Sequence, residues 1–283
     1  NQQGAQVFPQ VGSRPTGLVF SLATYHPWML RPTYLALKHL PLAERKLALS
    51  DPGTKAQILS ETNNIEGVPM GSMEFGIAHI QSDYEQLFEL TSTSTYEPTN
   101  QESFATKARG GNQSAEALLF DHLIQPELDL PMAILFFTNY SEYNLDAVRE
   151  MQLDDATVTG LSDAGAHVSL IFDAVNLTYW GRDRSRGETI PLPYLIHRAT
   201  QKNAQLFGFN DRGVLQAGKR ADINIINFEA LKLTKLDLLD DLPAGGTRLM
   251  QGASGYDATI INGVITRRFD QDTGARPGRL VRS

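Results

Sequence analysis

The β-rich run Ala156-Thr-Val-Thr-Gly-Leu161 leads directly into Ser162-Asp163-Ala-Gly-Ala-His167. A short strand there would deliver a carboxylate and an imidazole, four residues apart, at its C-terminal end. A carboxylate so placed can act as a general acid–base, taking a proton from an attacking group and passing it to a departing one. Asp163 is a candidate catalytic residue on that ground. Taken locally, it also fits a helix N-cap or turn, because Ser-Asp before Ala-Gly serves that purpose. His167 either orients a ligand or leaving group or packs at the turn. Arg14 and Arg182 are candidate anchors for a substrate carboxylate, since the guanidinium fork binds carboxylates through two parallel hydrogen bonds. An isolated arginine is equally a surface residue.

Other chemistries are narrowed by composition. The 283 residues contain no cysteine, which removes disulfides, thiolate zinc sites and cysteine nucleophiles, and leaves His, Asp, Glu or a modified Lys to hold any metal. The histidines are His26, His39, His79, His122, His167 and His197, and no two are separated by a single residue. His26 before Pro27 and Trp28 fits a loop histidine, Asp154-Asp155 a solvated turn rather than a glycosidase pair, and Ala217-Gly-Lys-Arg220 a hairpin connection rather than a phosphate loop. With 25 Lys and Arg against 32 Asp and Glu, the net charge of −7 argues against a nucleic-acid partner. No apolar run approaches the roughly 20 residues of a membrane helix. The expectation is a soluble, cytoplasmic protein without a membrane partner.

The elements that must position these groups follow from periodicity and punctuation. Gly17-Leu-Val-Phe-Ser-Leu22 and Met132-Ala-Ile-Leu-Phe-Phe137 predict buried strands. Helices are predicted on either side of Pro41, after Asp51-Pro52, from Ser114, from Leu145, and from Pro191 and Pro193 to a stop at Gly208. Residues 60–112 predict a long surface excursion followed by a helix. Beyond Gly208 the texture changes to short strands and Gly-containing turns, and Asn262-Gly263 between β-branched runs is the strongest hairpin signal. The division expected is 1–208 and 209–283.

Several segments together resemble the amidohydrolase superfamily, specifically its N-acyl-D-amino-acid deacylase branch. They are Gly160-Leu-Ser-Asp-Ala-Gly-Ala-His-Val168, Trp180-Gly-Arg-Asp-Arg-Ser-Arg-Gly-Glu188, Thr200 to Gly208, Asp211 to Ile226, Asp241-Leu-Pro-Ala-Gly-Gly246, Gly255-Tyr256, Ile261-Asn-Gly263 and Thr273 to Arg282. Gln10 to Gly17, His26-Pro27 and Asp51-Pro52 match more weakly.

The resemblance implies an α/β fold: the C-terminal part of a (β/α)8 TIM-like barrel over 1–208, with a helical insertion, and a small β-sandwich module over 209–283. It implies one or two zinc ions, with Asp163 as the ligand from the last barrel strand. Bound zinc would lower the pKa of its water toward 7 and polarise the carbonyl. The family's His-x-His pair has no counterpart here, so the remaining ligands are expected upstream of Asn1 and the chain alone is expected to be inactive. The substrate implied is a small amide, an N-acyl D-amino acid cleaved at its non-peptide C–N bond. Missing barrel strands would leave exposed sheet edges, and self-association into a homo-oligomer is expected. The alternative is a non-catalytic relative that keeps the scaffold and binds a small molecule or a partner without metal.

Overall fold

The computed structural model describes residues 4, 7–79, 83–91, 96–126, 130–160, 170–171 and 176–281. In chain order these form β1 (Gln10–Val11), β2 (Thr16–Phe20), α1 (Pro32–Leu37), α2 (Leu42–Leu49), α3 (Pro52–Ser60), α4 (Met73–His79), β3 (Leu87–Leu90), α5 (Phe104–Arg109), α6 (Ala115–Leu123), β4 (Met132–Thr138), α7 (Asp146–Leu153), β5 (Val158–Thr159) and β6 (Leu170–Ile171). A π-helical segment, Asn176–Asp183, precedes a helical rod made of α8 (Leu192–His197), a π turn (Arg198–Lys202) and α9 (Asn203–Leu206). The rest is β7 (Ile223–Ile226), β8 (Lys232–Leu242), β9 (Gly246–Ser254), β10 (Tyr256–Ile261), β11 (Val264–Arg268) and β12 (Gln271–Asp272). No helix among the described residues is long and apolar enough to cross a membrane.

The chain divides into two compact units. One consists of Pro15–Leu145 with Asp163–Phe172. Its sheet has the order β3-β4-β2-β6, and every pairing in it is antiparallel. All five residues of β2 are buried, as expected for an apolar run covered on both faces. Gly17 is needed there, because a Cβ would stand 2.6 Å from Cδ1 of Ile134 on β4. Helices pack over this sheet around Phe20, Trp28, Leu49, Ile58, Phe120 and Leu135. Their starts follow local chemistry: Asp51 caps α3 by accepting from the Thr54 amide, and Ser114 caps α6 by accepting from Ala117.

The other unit consists of Asn1–Arg14, Asp146–Ser162 and Asp173–Ser283. It contains the parallel pair β1/β5, with Gln10 opposite Val158 and Val11 opposite Thr159. Its C-terminal sheet has the order β12-β11-β10-β7, all antiparallel. The predicted hairpin is there: Asn262 and Gly263 have φ of 51° and 78°, as a type I′ turn requires, and Ile261 pairs with Val264 across it. β8 and β9 form a separate two-stranded sheet, with Ala244 and Gly245 in the left-handed region at its turn.

The parallel strand order of a barrel arc is thus drawn, among the described strands, by β1 and β5. The four-stranded sheet of the other unit departs from that expectation: each of its pairings is antiparallel, so each paired strand runs against its neighbour rather than with it.

Candidate functional site

Asp163 and His167 lie outside the described residues. What the structure provides is the frame that leads to them. β1 and β5 run side by side in the same direction, and Arg14 follows the first strand in sequence as Asp163 follows the second. The pairing continues past β5 through Gly160, whose amide donates to the Val11 carbonyl at 2.6 Å. A Cβ on Gly160 would stand 3.0 Å from that oxygen, so glycine permits the close approach.

The end of β1 is pinned from its own unit. Trp180 is fully buried, and its Nε1 donates to the Ser13 carbonyl at 2.6 Å, beside Arg14, which is itself buried. The guanidinium of Arg184 lies 5.0 Å from the Trp180 ring centroid. It donates to Asp146 Oδ1 at 2.6 Å and to the Glu188 carbonyl at 2.9 Å. At Gly187 a Cβ would come within 2.5 Å of this guanidinium, which accounts for the glycine. Within the Trp180–Glu188 motif, Trp180 and Arg184 are buried against each other, while Asp183 and residues 185–188 are exposed.

Arg182, the sequence-predicted carboxylate anchor in that motif, has a different task in this structure. Its Nε and Nη2 donate to the Asp183 carboxylate, Nη1 to the carbonyls of Phe228 and Glu229, and Nη2 also to that of Leu231. Those contacts engage all five donors of the guanidinium. The Asp183 hydrogen bonds are the main reason its pKa is raised.

Sequence reasoning missed a row of residues on the rod that follows. Tyr194, Arg198 and Lys202 are spaced by four, so they share a helix face. Tyr194 donates to the Leu153 carbonyl at 3.1 Å and Lys202 to that of Asp155 at 2.6 Å. Arg198, 3% exposed, donates to the Asp154 carbonyl at 3.0 Å and to both oxygens of Thr157 at 2.9 Å. These are the last carbonyls of α7 and of the turn into β5, groups that a helix end leaves without intrahelical partners. Burial, and then the neighbouring Arg198 charge, lower the Lys202 pKa. The four-residue spacing was legible in sequence, but its acceptors, some forty residues upstream, were not.

Among the described residues no group of three or more His, Asp or Glu side chains could hold a metal ion. His26 is 1% exposed and packs edge-on against Tyr34, with ring centroids 4.3 Å apart, and tilted against Trp28. Burial, with the charges of Arg45 and Arg31, lowers its pKa to about 3. Those two cations make its surroundings unsuited to a metal ion. His122 is buried with Nε2 2.8 Å from the Met132 carbonyl, and His79 sits 2.8 Å from the Phe75 carbonyl. His39 and His197 are exposed. The described donor set does not fit a metal centre by itself.

Similarity to known proteins takes the identification further than this partial geometry. D-aminoacylase structures are similar to the chain: a copper chloride complex of a D-aminoacylase mutant at 19% identity, over 70% of this chain and 38% of that one, has a TM-score of 0.38. A structure reporting the functional role of the binuclear metal centre of D-aminoacylase follows at 18% identity, 67% and 36% coverage, and a TM-score of 0.35. This chain thus spans well under half the length of those proteins. No curated protein matches. The sequence profile of the amidohydrolase family matches residues 28–267, a span that takes in the strand β5, the Asp163 segment, the Trp180–Arg184 pair and the clamp on α7. A match over most of the chain identifies it as a member of the amidohydrolase family.

Proposed function

We propose that the protein is a metal-dependent amidohydrolase that cleaves the non-peptide C–N bond of a small amide, an N-acyl amino acid of D configuration. The family match across residues 28–267 is the observation that carries this reading. In it, Asp163 serves as metal ligand and proton carrier, moving a proton from the attacking water to the amine nitrogen as the C–N bond breaks. His167, Arg14 and Arg182 are the substrate-binding residues proposed, Arg182 by exchange of its present carbonyl contacts. Zinc, one or two ions, is the cofactor proposed, with its other ligands outside the described residues. The remaining proposals are a barrel portion over 1–208, a β-sandwich over 209–283, a homo-oligomer and a cytoplasmic setting. β1/β5 and the antiparallel β12-β11-β10-β7 sheet are the elements that support the first two.

The test is amine release from N-acetyl-D-leucine and its L enantiomer by the zinc-supplemented whole protein, including any segment that carries the further metal ligands, before and after chelation. Release that prefers the D form and stops on chelation supports the reading. The second reading is a metal-free binding relative, favoured by the commitment of His26 and His122 to packing and backbone contacts. Protein that takes up no zinc and releases no amine supports that one instead.

A further inference from the structure

The C-terminal sheet carries a cleft of about 430 Å³, within the roughly 300–1,000 Å³ typical of small-molecule sites. Its lining runs from the end of β10 through β11 and β12 to the tail beyond Asp272. That tail lies outside any helix or strand, yet side chains fix its path. Gly274, with φ of 80°, turns the chain. Thr273 pins the turn against β11, its amide donating to the Thr266 carbonyl at 3.0 Å and its hydroxyl to the Ile265 carbonyl at 2.9 Å. Arg276 then closes the wall with a fork onto Asp272, Nη1 to Oδ1 at 3.0 Å and Nη2 to Oδ2 at 2.8 Å.

The charges in this lining are not equivalent. Asp272 also accepts from the Gly274 amide at 2.8 Å, and these bonds, the Arg276 fork first, hold its pKa down at about 2. Asp272 and Arg276 therefore neutralise each other. Arg267 stands opposite Asp272 in the strand pairing, but the carboxylate is taken up by Arg276 and Gly274. The carboxylate of Asp270 is likewise occupied, accepting from the amides of Gly255 and Tyr256 at 3.0 Å each. Arg267 Nη2 donates to the Asp270 carbonyl at 2.6 Å, and this exposed guanidinium, with five donors, makes no other hydrogen bond among the described residues. Half-buried Ile261, Ala275 and Pro277 supply the apolar lining.

A guanidinium with donors to spare matches a carboxylate, which it binds through two parallel hydrogen bonds. Apolar side chains around the remaining space match an aliphatic chain. A cation is not favoured, because the carboxylate in the lining is already held by Arg276. We propose that this cleft binds a small aliphatic monocarboxylate, with Arg267 gripping the carboxylate and Ile261, Ala275 and Pro277 covering the chain. The inference does not depend on the amide hydrolysis proposed above.

The experiment titrates hexanoate, hexanamide and inorganic phosphate into the whole protein, followed by ligand-observed NMR, and repeats the series on Arg267→Gln. Hexanoate should bind with a Kd on the order of 1 mM, the range of a small ligand held by one charged fork and a short chain. Hexanamide keeps the chain without the charge, and phosphate keeps charge without the chain, so each should bind about tenfold more weakly or worse. Arg267→Gln should weaken hexanoate by about tenfold or more. A chelator should leave hexanoate binding unchanged, which separates this cleft from a carboxylate held by a metal ion. The ratio of hexanoate to hexanamide affinity is read on wild-type protein, so the test stands even where Arg267→Gln does not fold. No hexanoate binding by about 10 mM, equal affinity for hexanamide or phosphate, binding that survives Arg267→Gln, or binding lost on chelation would each overturn the proposal.

Discussion

The indole of Trp180 reaches across 167 positions of sequence to donate to the Ser13 carbonyl, and this bond closes the end of β1. Both groups are buried, so the carbonyl has no ready substitute in water. Trp180→Phe keeps an aromatic ring under Arg184 but leaves Ser13 without its donor. The expected loss of stability is about 0.5–1.5 kcal/mol, the net contribution of one hydrogen bond, read from the urea midpoint. A change below about 0.5 kcal/mol, typical of surface substitutions, would count against the pin.

Glu116 on α6 carries a similar burden in the other unit. Its Oε1 accepts from Trp28 Nε1 at 2.8 Å and from Arg31 Nη2 at 2.7 Å, and Arg31 also holds the Ile58 carbonyl at the end of α3. Glu116→Ala would leave an indole and a mostly buried guanidinium without their acceptor, for an expected loss of about 2 kcal/mol. Glu116→Gln keeps an acceptor oxygen and should lose less. Denaturation midpoints for both variants equal to that of the wild type would show that neither acceptor nor charge matters there.

His26 makes this unit acid-sensitive. Its folded pKa of about 3 lies below the ordinary 6.5, so the folded protein keeps it neutral while the unfolded chain takes up a proton below pH 6.5. Its contribution is fully present above pH 6.5, falls by about 1.4 kcal/mol per pH unit on acidification, and is exhausted below about pH 3. At pH 4.5 the loss should be on the order of 3 kcal/mol. His26→Gln, which does not titrate, should flatten the dependence of unfolding free energy on pH between 6.5 and 4.5. An undiminished slope in that variant would assign the acid sensitivity to other groups.

The C-terminal hairpin offers a backbone test. Gly263 has φ of 78°, a region an alanine enters only with strain, so Gly263→Ala should cost about 1 kcal/mol. Thermal melting that is unchanged by this substitution would contradict the type I′ turn.

Much of this architecture was legible because its causes are local. Asn262-Gly263 announces its turn through positive φ, Asp51 and Ser114 announce helix starts through side-chain caps, and the apolar run at Gly17 announces a buried strand. β8 and β9 were missed: two bulges break the alternation of β8, and its leucines are interleaved with Lys232, Asp237 and Asp240. The antiparallel sense of the β3-β4-β2-β6 sheet was missed as well, since it rests on pairings between segments far apart in sequence, such as Leu18 with Leu135 and with Leu170. At the candidate site, the carboxylate motif and the arginines could be picked out by type. Which arginine does what could not: Arg182, Arg184 and Arg198 look alike in sequence, and distant carbonyls, Trp180 and Thr157 separate their roles.

Asp163 is the residue on which the functional account turns, and one comparison tests it directly. Amine release from N-acetyl-D-leucine is measured for the zinc-supplemented whole wild-type protein, including any segment that carries the further metal ligands, and for its Asp163→Asn variant, with folding of both checked by far-UV circular dichroism. The account predicts that wild-type turnover is abolished by chelation and restored by zinc, and that Asp163→Asn lowers kcat by about a hundredfold or more, as loss of a general acid–base group does. Turnover that survives either chelation or the loss of the Asp163 carboxylate would contradict it.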